Sequence, residues 1–348
     1  MAGRLAALGL TLALALTARA TAADTTVEQD VARARQLAGT QFASSMFLCD
    51  NNMRIVQAAL EGSNQWLPPT RAFDNLYYIG NGFVGVWVLK TSAGLILFDS
   101  LQSEAEVREH LEPGLRAIGL DPADIKYAII THGHWDHYGG AKYLQERYGV
   151  RIGLSAADWD MLDHLPPGVP ERAPMFGADR ADRVPPKRDL VISDGQQMTL
   201  GDTTVTLYVT PGHSLGTLSA LIPAREGGRT HILSLLGGTA FPPTREPSAT
   251  MGGMDAFKAS VGRLAALSRE AKSEGLLNTH IFADGSDLRL AAAAARKPGE
   301  ANPFLLGGAA VQRYYGMFQA CLDAAMKRPP MTPEERQRAM GALAVPSH

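Results

Sequence analysis

The stretch Ile129-Ile-Thr-His-Gly-His-Trp-Asp-His-Tyr-Gly-Gly140 places four potential metal ligands within six residues. These are His132, His134, Asp136 and His137. The apolar run before them predicts a buried strand, and a predicted helix follows. Side chains two apart in an extended loop point the same way, so His132 and His134 can share one metal, while Asp136 and His137 face a neighbouring one. Imidazole and carboxylate are ligands that zinc accepts, and the stretch therefore predicts a metal site at a strand end.

Two further histidines occupy comparable places. His213 lies in Val209-Thr-Pro-Gly-His-Ser-Leu-Gly-Thr217, and His280 follows Leu276-Leu-Asn-Thr279. The alternative, a polar loop with surface histidines, is disfavoured because three of the nine histidines of the chain fall within six residues at a strand end. Six ligands divide into two sets of three and leave an open position on each metal for a shared water. That pattern is typical of catalytic sites, whereas structural sites are closed by four ligands.

Outward from this stretch, aromatic and β-branched runs alternate with amphipathic segments along the chain. The predicted strands are 75–79, 83–89, 95–98, 127–130, 150–154, 190–192, 197–200, 205–209, 218–222, 231–236 and 276–280. The predicted helices are 26–62, 104–118, 141–148, 156–165, 254–272, 285–296 and 308–327. Strands and helices thus follow one another in two similar halves. This order predicts an α/β fold, a four-layer αβ/βα sandwich of two packed mixed sheets with helices outside.

The domain organisation predicted from the chain of 348 residues has four parts. They are a signal peptide, 1–22; an N-terminal helical extension and linker, 23–72; the α/β domain that carries the metal site, 73–328; and a C-terminal tail, 329–348. The signal rests on Arg4, an apolar run from Leu5 to Leu16 and small residues up to Ala22. Against the alternative of a buried N-terminal helix, the chain becomes polar at Asp24. We therefore expect export to the periplasm.

Composition and charge restrict the partners. The net charge is −2 and no long run of one sign occurs, so neither nucleic acid nor an anionic membrane surface is an expected partner. After signal cleavage no other segment has the ~20 apolar residues of a membrane span. The expected partner is a small-molecule substrate, and the oligomeric state stays open.

Cys49 and Cys321 are the two cysteines, and an oxidising compartment favours a disulfide between them over two separate buried thiols.

The spacing His132-x-His134-x-Asp136-His137, then Gly212-His213, then His280 resembles the metallo-β-lactamase superfamily. Within it the chain is most similar to the third subclass, in which no cysteine binds metal; Phe73 to Gly80, Asp194 to Gly201 and Thr210 to Ser214 are similar as well. The resemblance implies two zinc ions per chain. By that resemblance His132, His134 and His213 bind the first zinc. Asp136, His137 and His280 bind the second, and Asp99 orients a ligand.

The absence of two metal ligands found in other branches supports the resemblance to the third subclass. The first two subclasses carry a cysteine ligand between the last two histidines, and none lies between His213 and His280. The glyoxalase and lactonase branches carry an aspartate that bridges both metals, and residues 233–243 contain no acid. Two features depart from the subclass. The N-terminal segment, residues 24–65, is longer than the subclass implies. Many members have a serine near Gly237-Gly238 that positions water, and here only Ser234 or Thr239 could take that place.

The resemblance implies an exported di-zinc β-lactamase, an antibiotic-resistance enzyme in which a zinc-bound hydroxide opens the β-lactam amide and Asp136 aligns the hydroxide. Trp66 and the loop 166–188, with Met175 and Phe176, are candidates to cover the substrate. Alternatives are a lactone, ester or organophosphate hydrolase on the same site, an iron oxygenase and a non-catalytic zinc protein. The missing bridging acid disfavours the oxygenase, and the complete ligand set disfavours the non-catalytic protein.

Outside the site, His110 is predicted on a solvated helix face, His231 in a structural role and His164 at the surface.

Overall fold

The computed structural model describes residues 25–49, 65–164 and 184–329. The predicted signal peptide 1–22 and almost all of the predicted tail 329–348 lie outside these ranges. Most of the loop 166–188 also lies outside them, including Met175 and Phe176.

The first half of the chain forms a seven-stranded mixed sheet whose strands lie in chain order. Its strands are β1 (Thr70–Phe73), β2 (Leu76–Gly80), β3 (Gly85–Thr91), β4 (Gly94–Phe98), β5 (Ile125–Ile129), β6 (Arg151–Ser155) and β7 (Leu190–Ile192). Strands β1 to β4 are antiparallel because short turns connect them. From β4 to β7 the pairing is parallel, since helical crossovers connect those strands.

The second half forms a five-stranded mixed sheet in the order β12-β11-β10-β9-β8. These strands are β8 (Gln196–Leu200), β9 (Thr203–Val209), β10 (Leu218–Glu226), β11 (Arg229–Leu235) and β12 (Gly275–Leu277). All neighbours are antiparallel except β11 and β12, which a long helical crossover joins in parallel.

Most helices cover the outer faces of the two sheets, whereas the helix Ser286–Ala295 packs Leu290 into the core between them. The helices are α1 (Val27–Ala38), α2 (Glu104–Glu106 and Glu112–Ala117, joined by the π-helical turn Val107–Leu111), α3 (Trp135–Tyr138), α4 (Ala141–Tyr148), α5 (Ala156–Asp163), α6 (Met254–Glu270), α7 (Ser286–Ala295) and α8 (Gly308–Lys327). Three short 3₁₀ turns, Ala43–Cys49, Pro122–Asp124 and Ile281–Ala283, complete the described helical structure. No helix in the described ranges is long and apolar enough to cross a membrane.

Successive side chains of each strand point to opposite faces of the sheet, and this alternation produces the layers. In β2 and β3, Tyr78 and Trp87 face a core between the two sheets, whereas Ile79 and Val88 face a core beneath the helices of the first half. A third core lies beneath α6 and α8 on the outer face of the second sheet. Two sheets with cores on both faces make four layers, and the predicted fold class is confirmed.

The N-terminal extension packs on the outside of the second half. Helix α1 begins with a capping box between Thr26 and Gln29 and lies along α8. A disulfide joins Cys49 to Cys321, with the Cα atoms 4.4 Å apart. Strand β1 begins at Thr70 and pairs with β2, so the sheet starts three residues before the predicted domain boundary.

Candidate metal centre

The six predicted ligands meet at one edge of the two sheets, in the loops that follow β5, β9 and β12. In the first set, His213 Nε2 lies 3.0 Å from His132 Nε2 and 3.0 Å from His134 Nδ1. In the second set, His137 Nε2 lies 3.1 Å from His280 Nε2. Asp136 Oδ2 lies 3.4 Å and 3.5 Å from the same two nitrogens.

The two sets are neighbours. The rings of His132 and His137, one from each set, have centroids 3.9 Å apart. The short helix α3 makes this possible, because it begins directly after His134 and turns Asp136 and His137 toward the second position. The division into two sets of three predicted from the sequence is therefore the arrangement in the structure.

Most of the ligand imidazoles are held from behind by a hydrogen bond of the nitrogen that points away from the centre. The Nδ1 atoms of His132, His213 and His280 donate to the carbonyl oxygens of Gly237 (2.9 Å), Ala240 (2.8 Å) and Phe83 (2.9 Å). In each of these rings the proton is therefore on Nδ1, and Nε2 presents a lone pair to the centre.

This arrangement fits a cation. Two Nε2 lone pairs that face each other at 3.0 Å repel unless a positive charge lies between them. Donors of a tetrahedral zinc ion are about 3.3 Å apart, because Zn–N bonds are about 2.0–2.1 Å long. The separations within both sets, 3.0–3.5 Å, are close to that value. We conclude that the residues present fit two metal ions.

Burial keeps four of the five ligand imidazoles neutral. It lowers the pKa of His134 and that of His280 to about 4. It also lowers the pKa of His132 and of His213, and neighbouring histidines add to the effect. Neutral imidazole is the form that binds metal, so the first set is ready for a cation at neutral pH.

His137 differs because two carboxylates flank it. Burial alone would lower its pKa, but Asp136 and Asp99 more than reverse this and raise it to about 10. Burial would raise the pKa of Asp136, and the charge of His137 outweighs that effect, so the pKa of Asp136 is lowered. In the metal-free protein a proton thus occupies the second position, and a metal ion there would displace it.

Asp99 supports the second set from behind. Its Oδ2 accepts from His137 Nδ1 at 2.6 Å, and its two oxygens accept from the backbone and hydroxyl of Thr131 at 2.6 and 3.0 Å. The role expected for Asp99 from the resemblance matches these contacts. His280 has comparable support, since its backbone N–H donates to Asn278 Oδ1 at 2.8 Å.

Sequence reasoning missed several supporting residues. Asn81 accepts from the backbone of Phe83 and Val84 and so shapes the turn whose carbonyl holds His280. Asp158, in the first turn of α5, contacts both the loop that carries His132 and the loop that carries His213. The N-cap Ser155 with an acid three residues later was a visible helix-start signal. It did not indicate the contacts of Asp158, because these come from distant loops.

Some secondary expectations were wrong. Ser234 cannot position water at the centre, because its hydroxyl bonds Tyr315 and Ser268 behind the second sheet. Thr239 reaches the site indirectly, through Asn278. The ring of Trp66 stacks on that of His110, with the centroids 3.5 Å apart, so His110 is partly buried rather than on a solvated face. A role for Trp66 in covering the substrate stays a prediction.

The other two histidines agree with their predicted places. His231 lies in β11, where its Nδ1 is 2.5 Å from Glu274 Oε2, which is a structural contact. His164 is exposed at the end of α5.

Residues 79–225 match the model of the metallo-beta-lactamase superfamily. Among solved structures, the chain is similar to BJP-1, a subclass B3 metallo-beta-lactamase of Bradyrhizobium japonicum. The two share 27% identity with a TM-score of 0.59, over 74% of this chain and 92% of that one.

Curated relatives give a second comparison. A hydroxyacylglutathione hydrolase of Acidiphilium cryptum is 30% identical over 31% of this chain. Hydroxyacylglutathione hydrolase GloC of Haemophilus influenzae is 29% identical over 34% of it. The matches span 35% and 56% of the lengths of these two relatives.

Proposed function

We propose that this chain, a hydrolase of the metallo-beta-lactamase superfamily, uses two zinc ions to open the amide bond of β-lactams. The observation that carries the proposal is the pair of adjacent three-donor sets, in which a single carboxylate, Asp136, accompanies five imidazoles. Three protein donors leave a position for water or substrate, as catalytic zinc sites require. Zinc ions in these positions would supply Lewis acidity toward a carbonyl oxygen and lower the pKa of a coordinated water toward ~7.

The small number of carboxylates favours an amide substrate. Residues 237–240 approach the centre with backbone carbonyls, Gly237 O and Ala240 O, where the glyoxalase and lactonase branches carry a bridging aspartate. The centre therefore has one negative charge fewer than theirs. Opening a β-lactam develops negative charge on nitrogen, a poor leaving group, and a less negative centre stabilises that charge better. A lactone gains less, because its leaving group is an oxygen.

The side chains of this chain hold and orient the reactants. The five imidazoles and Asp136 Oδ2 hold the two cationic positions side by side. We assign to the second oxygen of Asp136 the task of accepting a hydrogen bond from the attacking water, which orients it toward the carbonyl carbon. The Nδ1 hydrogen bonds behind His132, His213 and His280 keep the rings from turning during the reaction.

A thioester hydrolase is the second candidate. It is favoured by the curated relatives, which are named hydroxyacylglutathione hydrolases. A thioester needs the same activated water and carbonyl polarisation, but its thiolate leaving group needs less stabilisation than an amide nitrogen. The two candidates therefore differ in substrate and not in the metal centre.

A comparison of substrates tests the proposal. The kcat/KM of zinc-loaded protein is measured for a penicillin, a cephalosporin, a carbapenem, a hydroxyacylglutathione and a homoserine lactone. We expect at least one β-lactam to exceed both the thioester and the lactone, with activity abolished by a chelator. If every β-lactam is inert and the thioester or the lactone turns over, the β-lactamase proposal is wrong and the second candidate, or a lactonase, replaces it.

We further propose that the mature protein begins at Ala23 and acts in the periplasm. The support is the charged, apolar and small-residue pattern of residues 4–22. The disulfide between Cys49 and Cys321 is consistent with an oxidising compartment. A periplasmic location would place the enzyme where β-lactams reach the enzymes of cell-wall synthesis.

A further inference from the structure

We propose that Asp158 is the positioning residue of the first ligand set: it holds the loop of His132 and His134 and the loop of His213 at the separation that metal binding requires. The inference rests on the metal binding in the proposed function. It does not depend on the substrate.

Asp158 joins two loops that follow strands of different sheets, and it lies beside the backbone hydrogen bond from Leu218 N to Thr131 O (2.6 Å) that also connects them. Its Oδ2 accepts from the backbone N–H of Gly133, between His132 and His134, at 2.9 Å. The same oxygen accepts from the hydroxyl of Ser214, next to His213, at 2.7 Å. Its Oδ1 accepts from the backbone N–H of Gly216 at 2.8 Å. One carboxylate thus fixes both loops that carry the first set.

The site around this carboxylate is dry and tightly packed. Asp158 is fully buried, so its hydrogen bonds do not compete with water. A Cβ on Gly216 would lie 1.9 Å from Ser155 Oγ and 2.9 Å from Asp158 Oδ1. Glycine at 216 therefore lets the His213 loop lie directly against the first turn of α5. A contact this close transmits a small displacement of α5 to the ligand loops.

The second set has a different support. Asp99 contacts His137 and Thr131, and Asp158 makes none of the hydrogen bonds that hold Asp136, His137 or His280. The two buried carboxylates thus divide the centre. Loss of Asp158 is expected to weaken the first set, while the second keeps its support.

Asparagine at position 158 separates this role from simple space filling. All three partners can donate, and an amide has one oxygen acceptor where the carboxylate has two. If the amide nitrogen faces Gly133, that backbone N–H loses its acceptor; if it faces Gly216, that N–H does. Asp158→Asn keeps the volume and removes at least one bond between α5 and the ligand loops in either orientation.

The experiment is a competition titration of zinc against a chromophoric chelator, with His213→Ala and His280→Ala assigning the two binding steps to the two sets. Asp158→Asn is expected to weaken the first-set step by about 10- to 100-fold and to leave the second-set step unchanged. Asp160→Asn is the matched control, since Asp160 lies in the same helix with an exposed side chain paired to Arg188. It should titrate like the wild type.

A second readout needs no metal. Amide hydrogen exchange of metal-free Asp158→Asn should accelerate at residues 131–134 and 212–217 and stay unchanged at 278–281. The proposal is overturned if Asp158→Asn binds zinc at the first set as tightly as the wild type and its hydrogen exchange is unchanged. It is also overturned if the zinc affinity falls equally at both sets.

If Asp158→Asn does not fold, Ser214→Ala takes its place, because it removes one of the three hydrogen bonds to Asp158. It should weaken zinc binding at the first set about fivefold, and no change would again overturn the proposal. A wild type that binds no zinc refutes the proposed function, while the exchange result still decides the role of Asp158.

Discussion

At the level of single residues, Asp99 shows how the centre is maintained. Its backbone is left-handed, with φ of 69°, a conformation that costs a non-glycine residue about 1–2 kcal/mol. Strain of this kind persists where the surrounding structure fixes a residue for function. Here the left-handed turn at the end of β4 directs the carboxylate to Thr131 and His137, and the three hydrogen bonds offset its cost.

Replacing His134 by alanine is expected to lower kcat/KM by about a hundredfold or more and to leave the fold intact. His134 is the most exposed of the six ligands and lies in a loop, so its loss affects the centre and not a core. Activity on the best substrate and circular dichroism are the measurements. His164→Ala, at an exposed position, is the control and should match the wild type. An unfolded His134→Ala variant would mean that the metal is structural.

All six ligands could be predicted because four lie within six residues and the other two follow strands in similar turns. Ser234 was misjudged because its position in the chain is near the site, while the alternation of β11 points its hydroxyl to the helix side. The pairing of Trp66 with His110 depends on two segments that meet only in the fold. Such contacts have no local signal.

At the level of elements, several helix bounds were predicted well, but the helix predicted over 26–62 ends at Ala38, and residues 50–64 of it lie outside the described ranges. Ala141–Tyr148 and Gly308–Lys327 match their predicted ranges, because amphipathic periodicity extends over several turns. Strand β1, Thr70–Phe73, was missed, since four residues after two prolines are too few to show alternation. The π-helical turn Val107–Leu111 also has no periodicity of its own within the helix predicted over 104–118.

The disulfide between the N-terminal extension and α8, together with the proposed export, gives a prediction for protein recovered from the periplasm. Periplasmic protein should begin at Ala23 and show no titratable thiol when denatured without reductant. Cys49 and Cys321 lie together in the fold and would be oxidised there. Because 272 residues separate the two cysteines, the chain-entropy model gives the disulfide about 5–6 kcal/mol of stabilisation, so reduction should lower Tm. The measurements are mass spectrometry, thiol titration and thermal unfolding. Two free thiols or an intact Met1 in that fraction would refute the prediction.

At the level of the whole molecule, the two halves meet to make the centre. Each sheet contributes the loops after its strands, and the core between the sheets fixes their separation. The repeated order of strands and helices was enough to predict this architecture. The substrate could not be predicted as well, because a di-metal site of this kind can serve amide, ester or thioester hydrolysis, and the surrounding loops decide among them.

The measurement that tests the central claim most directly is the metal content of the purified protein. After equilibration with zinc and removal of the excess, elemental analysis should find two zinc ions per chain, since two complete three-donor sets lie side by side. A chelator should remove both ions and abolish hydrolysis, and added zinc should restore it. One zinc ion or fewer per chain under zinc-replete conditions would contradict the two-metal centre.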